Sequence, residues 1–264
     1  MKVKDALEEI KKNDKSLQNE LVFILCECLS KDKAWLYLNL DYDFDESFYR
    51  TCLDKFLKDK LAFEYIFNKV SFYGLDFKIE EGVLIPRFDS EILLNLCLKE
   101  LCVNSYKNIL EIGFGSGVLS IVLALKLALK ISACDINEKA LHVALQNAKL
   151  HKVEHLLDFK LSSYDKLNCE YDFIFSNPPY IASTYPLDAY VKNEPSSALI
   201  GGDKGYEFLQ NLISFAKERK AKCLACEFGY DQKEILEDIL KQNGFKATFY
   251  KDLQGYDRAF IAFS

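Results

Sequence analysis

The chain has 264 residues, a net charge of −6 and a pI near 5.3, so as a whole it carries no electrostatic footprint for holding nucleic acid. Half of the residues are hydrophobic and 14% are aromatic, enough for one large domain or a medium domain beside a small one. No apolar stretch approaches the ~20 residues of a membrane span, and the charged segment Met1 to Glu9 leads into no secretory core.

Nine cysteines are scattered without a disulfide-framework spacing, which points to reduced thiols and a cytoplasmic setting. Residues 1–68 read as a bundle of short helices. Val3, Ala6, Leu7 and Ile10 recur at helical spacing, as do Leu17, Leu21, Ile24, Leu25 and Cys28, with Ser16 as the expected cap of the second helix. Trp35, Leu36, Leu38 and Leu40 mark a third piece, and Phe48, Cys52, Leu53, Phe56 and Leu57 a fourth. This part shows no catalytic group, so partner binding or stabilisation is its expected role.

Over residues 69–87 the pattern changes. Phe72 to Glu80 alternates, Glu81-Gly82 follows, and then Val83-Leu84-Ile85, which predicts a connecting β-hairpin. After Pro86 and Arg87 a helix begins near Ile92, with Asp89 or Ser90 as its cap.

Residues 88–264 alternate strand and helix. Strands are expected at 108–112, 130–134, 156–161, 171–176 and 222–228, with two more flanking the turn-like Asp252-Leu253-Gln254-Gly255. Helices are expected from Val118, from an Asn137 cap to about His151, over 205–217 and over 231–242. This is a doubly wound α/β domain. Cys223 and Cys226 fall inside an apolar strand with no second pair or nearby histidine, so they read as buried small hydrophobes and no metal site is expected. His142, His151 and His155 lie on or beside a helix and read as surface residues.

Two loops carry chemistry. Glu111-x-Gly113-x-Gly115-x-Gly117 joins a strand to a helix, where glycines allow close backbone approach and the helix start offers free amides. Asp135 ends the next strand about 20 residues on, where a carboxylate can accept ribose hydroxyls. A dinucleotide site would be G-x-G-x-x-G; the spacing G-x-G-x-G resembles the S-adenosylmethionine loop of class I methyltransferases. The second loop, Asn177-Pro178-Pro179-Tyr180, leaves a strand at two prolines that cannot continue a ladder and that fix a rigid corner.

Together these loops resemble the amino-methyltransferases, which methylate a planar nitrogen. If the Asn177 side-chain oxygen and the Pro178 carbonyl each accept one N–H, that nitrogen is held about 3 Å from the methyl. Its electron density then rises as it rehybridises, and Tyr180 can pack on the planar group.

Leu84-Ile85-Pro86-Arg87-Phe88-Asp89-Ser90-Glu91 closely resembles the L-I-P-R-P-D-T-E signature of the HemK/PrmC family, which methylates glutamine in peptide chain release factors. Phe72-Tyr73-Gly74, Glu194-Pro195-x-x-Ala198-Leu199-x-Gly201-Gly202-x-x-Gly205 and Asp252-Leu253-x-Gly255-x-Asp257-Arg258 extend the resemblance over nearly the whole chain.

The resemblance implies a Rossmann-like domain with a seven-stranded mixed sheet over 88–264. It also implies a hairpin linker at 69–87 and a substrate-binding helical domain at 1–68. S-adenosylmethionine would lie against Glu111, Gly113, Phe114, Gly115, Ser116, Gly117, Asp135, Tyr164 and Asn177, with Arg87 helping to close its site. Asn177, Pro178 and Tyr180 would be catalytic, and with Pro179 they would bind the glutamine.

The expected partner is a release factor, with no direct nucleic acid, no membrane and a monomeric enzyme. Phe88, Asn68 and Ser163 depart from the family's usual proline, glycine and acid. Glu227, at a strand end facing the site, is open to a structural or a functional role. The alternatives are a ribosomal-protein glutamine methyltransferase, an adenine-N6 enzyme of DNA or RNA, and a non-catalytic scaffold. The intact glycines, Asp135 and Asn177 speak against the scaffold.

Overall fold

The computed structural model describes residues 1–264, and the chain divides into two compact units: Met1–Asn68 with Ala189–Asn193, and Lys69–Asp188 with Glu194–Ser264. The first contains α1 (Val3–Lys11), α2 (Gln18–Leu29), α3 (Lys33–Leu38), α4 (Ser47–Leu57) and α5 (Phe63–Phe67). Val3, Ala6, Leu7 and Ile10 of α1 and Leu21, Ile24 and Leu25 of α2 are buried, as their spacing requires.

Three local expectations change. Asp14, not Ser16, caps the turn before α2: its carboxylate reaches forward two residues and accepts the Ser16 N–H at 3.0 Å, the local bond that Asp side chains favour at a turn. In α4 the buried stripe is Tyr49, Cys52 and Phe56, while Phe48 faces out. In α3 only Leu36 is buried, since six residues present a single inward position.

The segment Ala189–Asn193 belongs to this unit. Tyr190 stacks on Phe56, and Asn193 Nδ2 donates to the Asp59 and Lys60 carbonyls. Asn68, where a glycine was expected, ends α5 with φ of 52°; asparagine tolerates that left-handed conformation better than most side chains.

The second unit opens with an antiparallel hairpin, β1 (Lys69–Phe72) and β2 (Leu75–Lys78). Its turn is Tyr73-Gly74, both at positive φ, rather than Glu81-Gly82. Two left-handed residues twist a two-residue turn to match the strands, so the ladder closes there and Val83–Ile85 forms no strand.

Next come α6 (Ser90–Val103), β3 (Ile109–Ile112), α7 (Val118–Leu127), β4 (Ile131–Asp135), α8 (Glu138–Leu150), β5 (Leu157–Leu161) and β6 (Phe173–Ser176). The short pieces β7 (Ile181–Ala182), α9 (Ser196–Leu199) and β8 (Ile200–Gly202) precede α10 (Glu207–Glu218), β9 (Cys223–Glu227), α11 (Lys233–Gln242), β10 (Lys246–Lys251) and β11 (Asp257–Phe263).

The seven-stranded mixed sheet runs β10-β11-β9-β6-β3-β4-β5, with only β11 antiparallel to its neighbours. β3, β6 and β9 are buried along their whole length, which is why they read as unbroken apolar runs. Cys223 and Cys226 are both fully buried in β9. The chain moves outward from β3 through β4 to β5, then returns to β6 on β3's other side. The carboxyl ends of β3, β4 and β6 therefore meet at a topological switch point, where such sheets leave a crevice. No helix is long and apolar enough to cross a membrane.

Candidate active site

The crevice at that switch point is a cavity of about 150 Å³. Gly113 and Gly115 form one wall at positive φ, and a Cβ built on either meets nothing within 4 Å, so the space beside them is open to a ligand. Asp135 closes the end of β4. Its carboxylate accepts the Gly115 N–H and the Asn137 N–H, both at 2.9 Å. Burial pushes the Asp135 pKa up and these backbone donors oppose that. One carboxylate thus pins the glycine loop and keeps further lone pairs for hydroxyl donors.

Tyr164 lines the same cavity, its ring packed edge-on against Phe208 and Phe215, and Asn177 and Pro179 complete the far side. The remaining expected residues take other places. Glu111, Phe114 and Ser116 line a smaller adjoining cavity of about 40 Å³, with Gly113, Gly115, Ser90 and Asn177. Glu111 is 1% exposed and bonded to the Ser120 hydroxyl; burial pushes its pKa up to about 8. Phe114 packs on Phe159, and the Ser116 carbonyl accepts Asn147 Nδ2 at 2.9 Å. Gly117 starts α7.

Arg87 lines neither cavity. Its guanidinium donates to the Ile85 carbonyl and to the Glu194 carboxylate, which also accepts the Ile85 N–H. Glu194 is 6% exposed, whereas the Arg87 side chain is partly open to solvent, so the buried carboxylate is matched by a guanidinium at the surface. The pair ties Val83 and Leu84 on one side of the cavity to Pro195, Ser197 and Ala198 on the other. Arg87 holds the walls together and does not line them.

The Asn177-Pro178-Pro179-Tyr180 corner is braced from behind. Gly201 approaches so closely that a Cβ there would lie 2.5 Å from the Pro179 carbonyl oxygen and 2.9 Å from Tyr180 Cα. Gln232 Nε2 donates to the Tyr180 carbonyl at 2.8 Å, and β7 pairs with β8 just beyond. The Tyr180 hydroxyl donates to Glu227 at 2.9 Å, and Asn177 Nδ2 donates to Ser90 Oγ at 2.8 Å. The Glu227 charge, then burial, raise the Tyr180 pKa well above its usual range.

Sequence reasoning missed Ser90, assigned only to a helix cap, and Gln232. It also missed Ile136 and Phe208, which line the main cavity. The only signal for Ile136 was its place one residue after Asp135; Phe208 gave none, because a partly buried α10 aromatic looks like core.

Residues 88–192 match the family described as Methyltransferase small domain. The release factor glutamine methyltransferase of Fusobacterium nucleatum subsp. nucleatum is 36% identical over 97% of this chain and 76% of its own length. The chain belongs to the release factor glutamine methyltransferase family. A second member, from Dictyoglomus turgidum, is 40% identical over 78% of this chain and 76% of its own length. Among solved structures, a methyltransferase from Pyrococcus furiosus shares the fold with a TM-score of 0.53. It is 21% identical over 73% of this chain and 90% of its own.

The protein is a methyltransferase with S-adenosylmethionine as its cofactor. The donor set fits that molecule: an open glycine cradle, a ribose-competent carboxylate one strand over, and an aromatic ring on the cavity wall.

Proposed function

We propose that this chain methylates the side-chain amide nitrogen of a glutamine in a peptide chain release factor, and that Asn177 to Tyr180 receive that amide. The observation that carries the reading is Asn177. Its amide lines the cavity beside the glycine loop while its own NH₂ is committed to Ser90, leaving Oδ1 as an acceptor.

Bound S-adenosylmethionine supplies an electrophilic methyl on a sulfonium. Gly113, Gly115, Asp135 and Tyr164 would hold it, and Arg87 with Glu194 ties the walls together. Asn177 Oδ1 and the Pro178 carbonyl accept the two N–H groups of the substrate amide, which orients its weakly nucleophilic lone pair. These acceptors gain strength as positive charge develops on nitrogen, so they favour the transition state over the ground state. The fixed Tyr180 ring packs against the planar group. No strong base is required, because the methylated nitrogen sheds its proton only after transfer.

The helical unit supplies surface for the protein substrate, and a single chain acts on it without nucleic acid. A protein substrate is favoured over a base in DNA or RNA by the family's membership and by the net charge of −6.

The substrate glutamine is the one in the release factor's Gly-Gly-Gln motif, and mass spectrometry of the peptide bearing it, after incubation with enzyme and cofactor, tests this. The wild type should add one methyl to the glutamine, and Asn177→Ala should lose on the order of a hundredfold or more in kcat. Asp135→Ala should weaken cofactor affinity at least tenfold by calorimetry, roughly the loss of one charge-assisted bond. Methyl transfer to adenine or to a ribosomal protein, with none to the release factor, would refute the proposal.

A further inference from the structure

Behind the proposed amide clamp, side chains from three elements form one directed run of hydrogen bonds. Asn177 Nδ2 donates to Ser90 Oγ at 2.8 Å, Ser90 Oγ donates to Glu227 Oε2 at 2.7 Å, and Tyr180 Oη donates to Glu227 Oε1 at 2.9 Å. The parallel register Ser176↔Cys226 brings the next residues, Asn177 and Glu227, to the same edge. Ser90 is 3% exposed and Glu227 1%, and neither lines the main cavity. Ser90 begins α6, yet no side chain caps that helix. Its hydroxyl is spent on Glu227 instead.

We infer that Ser90 and Glu227 are positioning residues that decide which end of the Asn177 amide faces the substrate. The inference rests on the amide-clamp reading and deepens it. A carboxylate can only accept, a hydroxyl has one hydrogen, and a primary amide has one end of each kind. Ionised Glu227 takes the single hydrogens of Ser90 and Tyr180. Ser90 then has only lone pairs left, so the end of Asn177 that meets it must be Nδ2. Oδ1, the acceptor that a glutamine N–H requires, is left for the substrate. Reversing the amide would set two acceptors against each other in a buried place.

The direction of the run depends on the Glu227 charge. A protonated Glu227 can donate to Ser90, whose hydrogen then turns to Asn177 Oδ1 and brings Nδ2 round to the substrate, donor against donor. The groups facing Glu227 are Ser90 and Asp89 at the start of α6, Tyr180 in its loop and Arg258 on β11. Burial and Asp89 favour the proton; the two hydroxyls and Arg258 favour the charge. The clamp therefore works on the alkaline side of the Glu227 titration.

The full-length protein, a release-factor substrate and calorimetry for the cofactor provide the test. Ser90→Ala should lower kcat roughly tenfold to a hundredfold at unchanged cofactor affinity, the size of one unpaired buried donor. Ser90→Thr, which keeps the hydroxyl, should return kcat to within about threefold of wild type. Glu227→Gln cannot accept both hydroxyl hydrogens through two oxygens, so kcat should fall and the acid limb of its pH profile should vanish.

In nitrogen-15 spectra, the Asn177 side-chain NH₂ signal should titrate with that acid limb in the wild type and stay flat in Glu227→Gln. An active wild type overturns the inference if Ser90→Ala keeps its kcat, if Ser90→Thr is no better than alanine, or if the Asn177 signal ignores pH. A wild type that methylates no release-factor glutamine refutes the clamp instead. The Asn177 signal needs no substrate and still decides the inference.

Discussion

Glu111 carries a charge-bearing group into the interior of the glycine-loop region. The acid two residues before the first glycine of the loop is buried to 1% exposure, and its partner is the Ser120 hydroxyl on α7. Burial dominates the hydrogen bond, and the pKa moves up to about 8. A carboxyl with a raised folded-state pKa holds a proton that the unfolded chain releases. Its contribution to stability is complete below about pH 4.5 and is lost as pH rises towards about 8. Glu111→Gln has no proton to lose. Denaturant melts at several pH values should therefore show the wild type losing stability relative to Glu111→Gln by up to about 1.4 kcal/mol per pH unit within that window. Parallel curves across the window would mean that Glu111 is ionised when folded.

At the scale of elements, the loops at the carboxyl ends of β3, β4 and β6 were legible because their chemistry is local. A strand, a glycine-rich turn and a helix start follow one another in sequence, and so do a buried strand and two prolines. The parts that were not legible depend on partners far along the chain. Ser90 looked like a cap because serine at a helix start usually is one; only the fold brings Glu227, 137 residues later, within 2.7 Å. The hairpin turn was displaced because alternation from Phe72 to Glu80 hid Tyr73-Gly74 inside an apparent single strand. The pair β7 and β8 is too short to leave a periodic trace.

Gly201, in the second piece of that pair, carries a prediction of its own. Its approach to Pro179 and Tyr180 leaves no room for a methyl. Gly201→Ala should push the Asn177–Tyr180 corner into the cavity, lowering kcat at least tenfold and stability by about 1–3 kcal/mol, the usual range for overpacking. An alanine variant with wild-type kcat would show that the corner does not depend on this brace.

For the whole molecule, the division into two units has a consequence that the cysteines can report. All nine are free, and they are distributed over both units. Cys102 and Cys169 are exposed, whereas Cys52 is buried in the helical unit and Cys97, Cys134, Cys223 and Cys226 are buried in the sheet unit. Burial also raises the pKa of the buried thiols, so they react only when opening hydrates them and restores a thiolate. A small unit buries a smaller fraction of its chain than a large one and opens at lower cost. Pulsed alkylation along a denaturant series, read by mass spectrometry, should label Cys102 and Cys169 in the native protein. Cys52 should follow at intermediate denaturant, and the four sheet-unit thiols should react together at the highest. Labelling of Cys52 in step with Cys223 and Cys226 would show that the two units unfold as one, and the helical unit would then draw its stability from the sheet unit rather than from its own core.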